Sequence, residues 1–166
     1  MTEKIQETEI KKTRLRLSER LKLVASFVPE GSRIADIGTD HGYVPIYLVE
    51  KGICPKAYAM DINQGPIESA IKNIENYGLS EKIQAIKSNG LEKLEPEKAD
   101  TIIIAGMGGE LIVNILENGL AKLENCSRPV KELVLSPHKR GDLVRKYLEE
   151  HKWHITDEKM LIDMNK

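Results

Sequence analysis

At 166 residues, the chain is long enough for one domain with a single well-buried core. Forty per cent hydrophobic and 31% charged residues exclude a disordered protein, and no apolar run approaches the roughly 20 residues of a membrane span. A net charge of −1 and an isoelectric point near 6.4 exert no global pull on nucleic acid, so such a partner requires a local basic patch.

The first 20 residues are dominated by Glu, Lys, Thr and Arg, with no apolar stretch of signal-peptide type. The two cysteines, Cys54 and Cys126, lie far apart and outside any CxxC or His/Cys cluster. They read as buried reduced thiols, and the chain is expected to be cytoplasmic, without a disulfide or a metal site. Ser18 and Glu19 precede Leu21, Leu23, Val24, Phe27 and Val28, an amphipathic helix ended by Pro29-Glu30-Gly31. Residues 33–37 read as a first strand, 42–51 as a helix closed by Gly52, and 56–60 as a second strand. A helix from about 65 to 77 stops at Gly78, and 82–87 form a third strand. The apolar run 101–105, preceded by Asp100, has the pattern of a strand buried on both faces of a parallel sheet. A helix over 109–116, a fifth strand over 132–135 and a helix over 142–151 follow. Residues 153–162 read as a final extended segment.

Strands alternating with helices of this length imply βαβ units and a doubly wound, mostly parallel sheet. Right-handed crossovers then place every strand-to-helix loop along the carboxyl edge of the sheet, where ligands bind at the point of strand-order reversal. Residues 1–31 are expected to form a basic amphipathic helical segment, and 32–166 the Rossmann-like domain.

The loop after the first strand is Asp36-Ile37-Gly38-Thr39-Asp40-His41-Gly42. Gly38 supplies the freedom for a tight turn and close ligand approach. A dinucleotide-binding loop holds a pyrophosphate there, so it favours glycines and avoids acids. Two carboxylates and no G-x-G-x-x-G instead suit a ligand with positive charge, such as the amino and sulfonium groups of S-adenosylmethionine. The plainer role for Asp40 is to cap the following helix. Asp61, beside Ile62, ends the second strand a little over 20 residues on, where a carboxylate can accept both hydroxyls of a ribose; its plainer role is also a cap. Asn89 and Gly90, in Ser88-Asn89-Gly90-Leu91 after the third strand, offer an amide to an adenine. Gly106, in Ile104-Ala105-Gly106-Met107-Gly108-Gly109, marks a backbone that bends sharply and lets a ligand lie against it. Ser136-Pro137-His138-Lys139-Arg140 brings a hydroxyl, an imidazole and two cations to the same edge.

Taken together, Leu17-Ser18-Glu19-Arg20-Leu21, Ala35-Asp36-Ile37-Gly38-Thr39-Asp40-His41-Gly42-Tyr43-Val44-Pro45, Asn63-Gln64-Gly65-Pro66, Ile104-Ala105-Gly106-Met107-Gly108-Gly109-Glu110-Leu111-Ile112 and Leu135-Ser136-Pro137 resemble the bacterial tRNA (adenine-N1)-methyltransferases of the TrmK type. The resemblance runs from about residue 17 to 162. It implies a class I Rossmann-like fold, S-adenosyl-L-methionine as cofactor, and methyl transfer to N1 of adenine 22 in tRNA. It also implies cofactor contacts at Asp36, Gly38, Asp40, His41, Asp61, Ile62, Asn89, Gly90 and Gly106. Asp40 and His41 fall where a catalytic role belongs. Tyr43, Met107, Ser136 and His138 fall on the side of the target base. The family pattern often has Glu at the position of Asp61, Asp at Asn89 and Asn at His138. It continues with a further strand and a helical, coiled-coil-like C-terminal domain, so a catalytic domain lacking both is expected, acting as a monomer.

RNA contact is expected from Lys11, Lys12, Arg14, Arg16 and Arg20, with Lys22 nearby, and from a second patch of Lys139, Arg140, Arg145 and Lys146. Charge runs of this kind are more often solvated helix faces. Two other classes stay open: a methyltransferase acting on a small molecule or protein, and a silent module that binds S-adenosylmethionine or RNA. A nicotinamide oxidoreductase fits poorly because its phosphate-binding loop chemistry is missing.

Overall fold

A computed structural model describes residues 15–162 of the chain. Lys11, Lys12 and Arg14 lie outside the described residues. Eleven elements follow in the order α1 (Glu19–Ser26), β1 (Ile34–Ile37), α2 (Tyr43–Glu50), β2 (Ala57–Asp61), α3 (Gln64–Asn76), β3 (Ile83–Lys87), β4 (Thr101–Met107), α4 (Gly109–Gly119), α5 (Ala121–Glu124), β5 (Glu132–Pro137) and α6 (Gly141–Glu150). The short α5 was not anticipated. The segment 153–162 belongs to no helix or strand and is exposed apart from the half-buried Trp153.

Ser18 caps α1 by accepting from the Leu21 amide at 3.2 Å, which satisfies one of the free N–H groups of a helix start. The helix then buries Leu21, Val24 and Ala25, so residues 17–28 share the core of the sheet domain.

The five strands are all parallel, in the order β3-β2-β1-β4-β5. Alternation of side chains along each strand divides the core in two. Ile34, Ala57, Ala59 and Ile103 face α1, α2 and α3. Ala35, Ile37, Tyr58, Met60, Ile102 and Ile104 face α4, α5 and α6. Every residue of β1 is buried, as expected of a central strand covered on both faces. Truncating a wholly buried residue such as Ile102 or Leu116 would cost about 2–5 kcal/mol.

The chain reverses direction of travel across the sheet between β1 and β4, which are neighbours in space. The Arg33 guanidinium and the Asp100 carboxylate clamp the amino ends of these strands, with Nη2–Oδ1 at 2.8 Å and Nε–Oδ2 at 3.1 Å, and the Arg33 amide also donates to Oδ2. The two-pronged hydrogen bonding holds the Asp100 carboxyl below its usual range and raises Arg33. The register at the switch point is thereby set, and the carboxyl ends of all five strands lie along one edge.

Candidate functional site

The first loop is bound to its neighbour strand. The amides of Gly38 and Thr39 both donate to the Met60 carbonyl, at 2.8 and 2.9 Å. Gly38, His41 and Gly42 adopt positive φ, a conformation that costs a non-glycine residue about 1–2 kcal/mol. Gly42 meets it without a Cβ; one built there would press on Ala70 of α3 at 3.3 Å. His41 bears the strain because α3 holds it on both sides. The Asn73 amide donates to the His41 carbonyl at 2.9 Å, and Ser69 Oγ meets Nδ1 at 2.5 Å. Nε2 lies 3.5 Å from Asp40 Oδ1, and the ring is 5.2 Å from that of Tyr43. Asp40 does not cap α2. The helix begins at Tyr43 behind a left-handed Gly42 with no side-chain cap, one residue later than expected, so the Asp40 carboxylate stays about half exposed beside His41.

Asp36 is the buried acid of the site. Burial pushes its carboxyl up to about 7, the negative charges of Asp40 and Asp61 add to the rise, and the Thr39 hydroxyl opposes it. Thr39 Oγ1 is itself buried and outside hydrogen-bond geometry with any described group. Asp61 partly fills its plainer role: Oδ1 accepts from the Asn63 amide at 2.8 Å, while Asn63 makes no side-chain cap to α3. The neighbouring Ile62 is 55% exposed, unusual for an isoleucine next to a buried strand. Asn89 is exposed and Gly90 half-buried at the end of β3; Gly90 has φ of 57° and lies on Ile115.

Across the switch point, Met107 lays its terminal methyl over Gly38, where any Cβ would overlap it. The loops after β1 and β4 are therefore in contact. Gly109 lets the start of α4 pack directly on the backbone of the β5–α6 loop; a Cβ there would overlap the Arg140 carbonyl. The Gly109 amide donates to the Lys139 carbonyl at 2.8 Å, and the His138 amide to the Met107 carbonyl at 3.1 Å. Ser136 is half-buried opposite Ala105, and the His138 side chain is exposed.

The structure brings Asp36, Gly38, Asp40, His41, Asp61, Ile62, Asn89, Gly90, Gly106, Met107, Ser136 and His138 to one edge, with Tyr43 against His41. It does not keep the second basic patch as a free surface. Arg140 is bound to Asp142 and Glu110, Arg145 to Glu158, and Lys146 to Glu150, leaving Lys139 without an ion pair among the described residues. Arg16 is exposed just before α1, whereas Arg20 is half-buried and lies against Gly106. Sequence reasoning missed Ser69, Asn73 and Thr39. The first two sit four apart on one face of α3, a spacing that signals a shared partner, but nothing local identifies that partner as His41. Two shallow hollows of about 320 Å³ flank α6, away from this edge, and neither contains a group comparable to Asp36.

The chain matches a family model described as a methyltransferase domain over residues 17–166. It is 40% identical over 147 residues to the tRNA (adenine(22)-N(1))-methyltransferase of Bacillus subtilis, covering 89% of this chain and 60% of that protein. A Streptococcus pneumoniae protein crystallised with S-adenosyl-L-methionine superposes with a TM-score of 0.85 at 46% identity, over 91% of this chain and 69% of that one. M. capricolum TrmK, solved with S-adenosyl-homocysteine, gives 0.80 at 35% identity, over 90% and 64%. The family resemblance carried by the motifs and the Rossmann-like fold are both borne out. The chain spans 60% of the length of the B. subtilis relative.

Proposed function

We propose a function on one premise: the chain belongs to the methyltransferase-domain family. It is the catalytic domain of a cytoplasmic tRNA (adenine-22-N1)-methyltransferase that uses S-adenosyl-L-methionine. The observation that carries this reading is the buried Asp36 carboxyl, which lies beside two further carboxylates in a loop that has no phosphate-binding glycine run. Such a donor set suits a cationic ligand and repels a pyrophosphate. Relatives that bear the tRNA methyltransferase name or hold this cofactor or its product support the same assignment.

When bound, the cofactor supplies an electrophilic sulfonium methyl. Asp36 takes the amino end of the methionine moiety, Gly38 and Gly106 admit it against the backbone, and Asp61 accepts from the ribose through the oxygen not committed to Asn63. Ile62 gives an apolar face to the adenine ring, with Asn89 and Gly90 at its edge. Asp40 and His41 act at the target base. Methylation at N1 makes the ring cationic, so the adjacent carboxylate stabilises the product, and His41 accepts a proton from the exocyclic amine. Ser69 and Asn73 hold that imidazole in place. Tyr43, Met107, Ser136 and His138 shape the entrance for a base that must leave its stack or pair. No described helix is long and apolar enough to cross a membrane.

The test is incubation with unmodified tRNA and S-adenosylmethionine, followed by mapping of 1-methyladenosine by mass spectrometry. Product at position 22 is expected. Asp40→Ala and His41→Ala should each lower the single-turnover rate by about 10²–10⁴. Unchanged transfer in both variants would remove their catalytic role, and methylation of small-molecule extracts but not of tRNA would reject the substrate.

A further inference from the structure

The glycines of the β4 loop seat cations. A Cβ built on Gly106 would lie 3.2 Å from one guanidinium nitrogen of Arg20 and 3.7 Å from the other. A Cβ on Gly108 would lie 3.1 Å from Lys139 Cε and 3.5 Å from Cγ. Arg20 reaches this place from α1, and Lys139 from the β5–α6 loop, so two elements distant in sequence converge on Gly106-Met107-Gly108. Of the two half-buried arginines among the described residues, Arg33 is paired with Asp100 and Arg20 has no acidic partner among them. Lys139 is likewise the one member of its basic run with no ion pair among them.

Lys139 is exposed, but Arg20 is half-buried, and a cation drawn partly out of water without a counter-charge is disfavoured unless an anion joins it. We propose that Arg20 and Lys139, bracketing Met107, form a clamp for the phosphodiester backbone of the RNA strand that enters the cleft. The inference rests on the functional reading above and adds to it the groups that grip the substrate. Met107 points down onto Gly38 while the cations lie on the glycines to either side of it. A phosphate held there sits next to the nucleotide delivered to the acidic loop. Arginine provides two parallel N–H donors to a phosphate, and lysine a point charge on a flexible stem. The acidic loop itself repels phosphate, so the clamp also keeps the backbone out of the cofactor's place.

The experiment measures binding of unmodified tRNA by the 166-residue chain across a salt series, alongside S-adenosylmethionine binding by calorimetry. Arg20→Gln and Lys139→Gln are each expected to weaken tRNA binding about tenfold and to lower the slope of log affinity against log salt by about 0.7, one released counterion apiece. Cofactor affinity is expected to stay within twofold. Gly108→Ala retains every charge and adds only a methyl group beneath Lys139; it should reproduce most of the Lys139→Gln loss. Thermal melts confirm folding, and if Arg20→Gln is unfolded, Lys139→Gln and Gly108→Ala decide the matter. Unchanged slopes with intact tRNA binding overturn the clamp and leave the methyltransferase reading standing. Loss of cofactor affinity with an unchanged slope also overturns it, because Arg20 then serves the cofactor's carboxylate. A wild-type chain that binds cofactor but no tRNA overturns both the clamp and the RNA substrate.

Discussion

The loop after β1 carries Asp36, Asp40 and a strained His41, whereas the loop after β4 carries no acid before Glu110 and takes Arg20 and Lys139 onto its glycines. Both loops turn on glycine, but the glycines serve different ends. Gly38 and Gly42, left-handed like Gly106, receive the apolar Met107 and Ala70 in the loop that carries the acids. Gly106 and Gly108 leave room for cationic side chains that arrive from elsewhere in the chain. Two adjacent walls of opposite sign at one switch point fit the reaction proposed above, between a cationic donor and a polyanionic acceptor. Glycine content alone says only that something lies close; the sign of the neighbours says what it is.

The comparison breaks most visibly at Asp36. Asp36→Ala is expected to weaken S-adenosylmethionine binding by at least about 100-fold, the scale of losing a buried charge partner, while tRNA affinity is kept. Calorimetry on the same preparation checks both. Equal loss of the two ligands would mean that the walls do not act separately.

The second test is pH. The Asp36 carboxyl stands at about 7 in the free protein against an ordinary 3.8, so below pH 7 it is mostly protonated and a cationic ligand must displace the proton. Cofactor affinity should rise by up to about tenfold per unit on approach to pH 7 and level off above it. The same shift acts against folding: a raised carboxyl costs stability progressively as pH climbs from about 4 to 7. Asp36→Asn should therefore flatten the affinity profile and melt higher than the wild-type chain at pH 8. A flat wild-type profile would remove Asp36 as the ionising contact.

The smallest expected effect is at α3. Ser69→Ala frees one side of the His41 ring, and about a three- to tenfold fall in the single-turnover rate is expected, with cofactor affinity unchanged. A shift in the acidic limb of the rate–pH profile would show that the hydroxyl acts through the imidazole; a change in affinity alone would make Ser69 a structural contact.

Much of the fold was legible because its signals are local. The apolar run at 101–105, the breaks at Gly52 and Gly78 and the alternation of strand and helix lengths each report on a few neighbouring residues, and together they restrict the chain to a parallel, doubly wound sheet. The acids of the first loop and the placement of Asp61 were also readable, since strand ends in such a sheet all reach one edge. Partnerships between distant segments were not. Nothing near Ser69 or Asn73 names His41, and the start of α2 at Tyr43 depended on a backbone reversal that local propensity does not report. In the basic run 139–146, the pairs Arg140–Asp142 and Lys146–Glu150 follow from local spacing, whereas Arg140–Glu110 and Arg145–Glu158 form only when distant segments meet, and Lys139 has no ion pair among the described residues.

By itself, then, the sequence determined the class of sheet, the edge where ligands gather and the acidic character of one wall, because period, turn chemistry and formal charge are properties of short segments. Tertiary structure decided how strongly Asp36 holds its proton, which cations stay free and where Arg20 lies. Each of these depends on burial and on the sign of neighbours brought together only when α1, β4 and the β5–α6 loop meet.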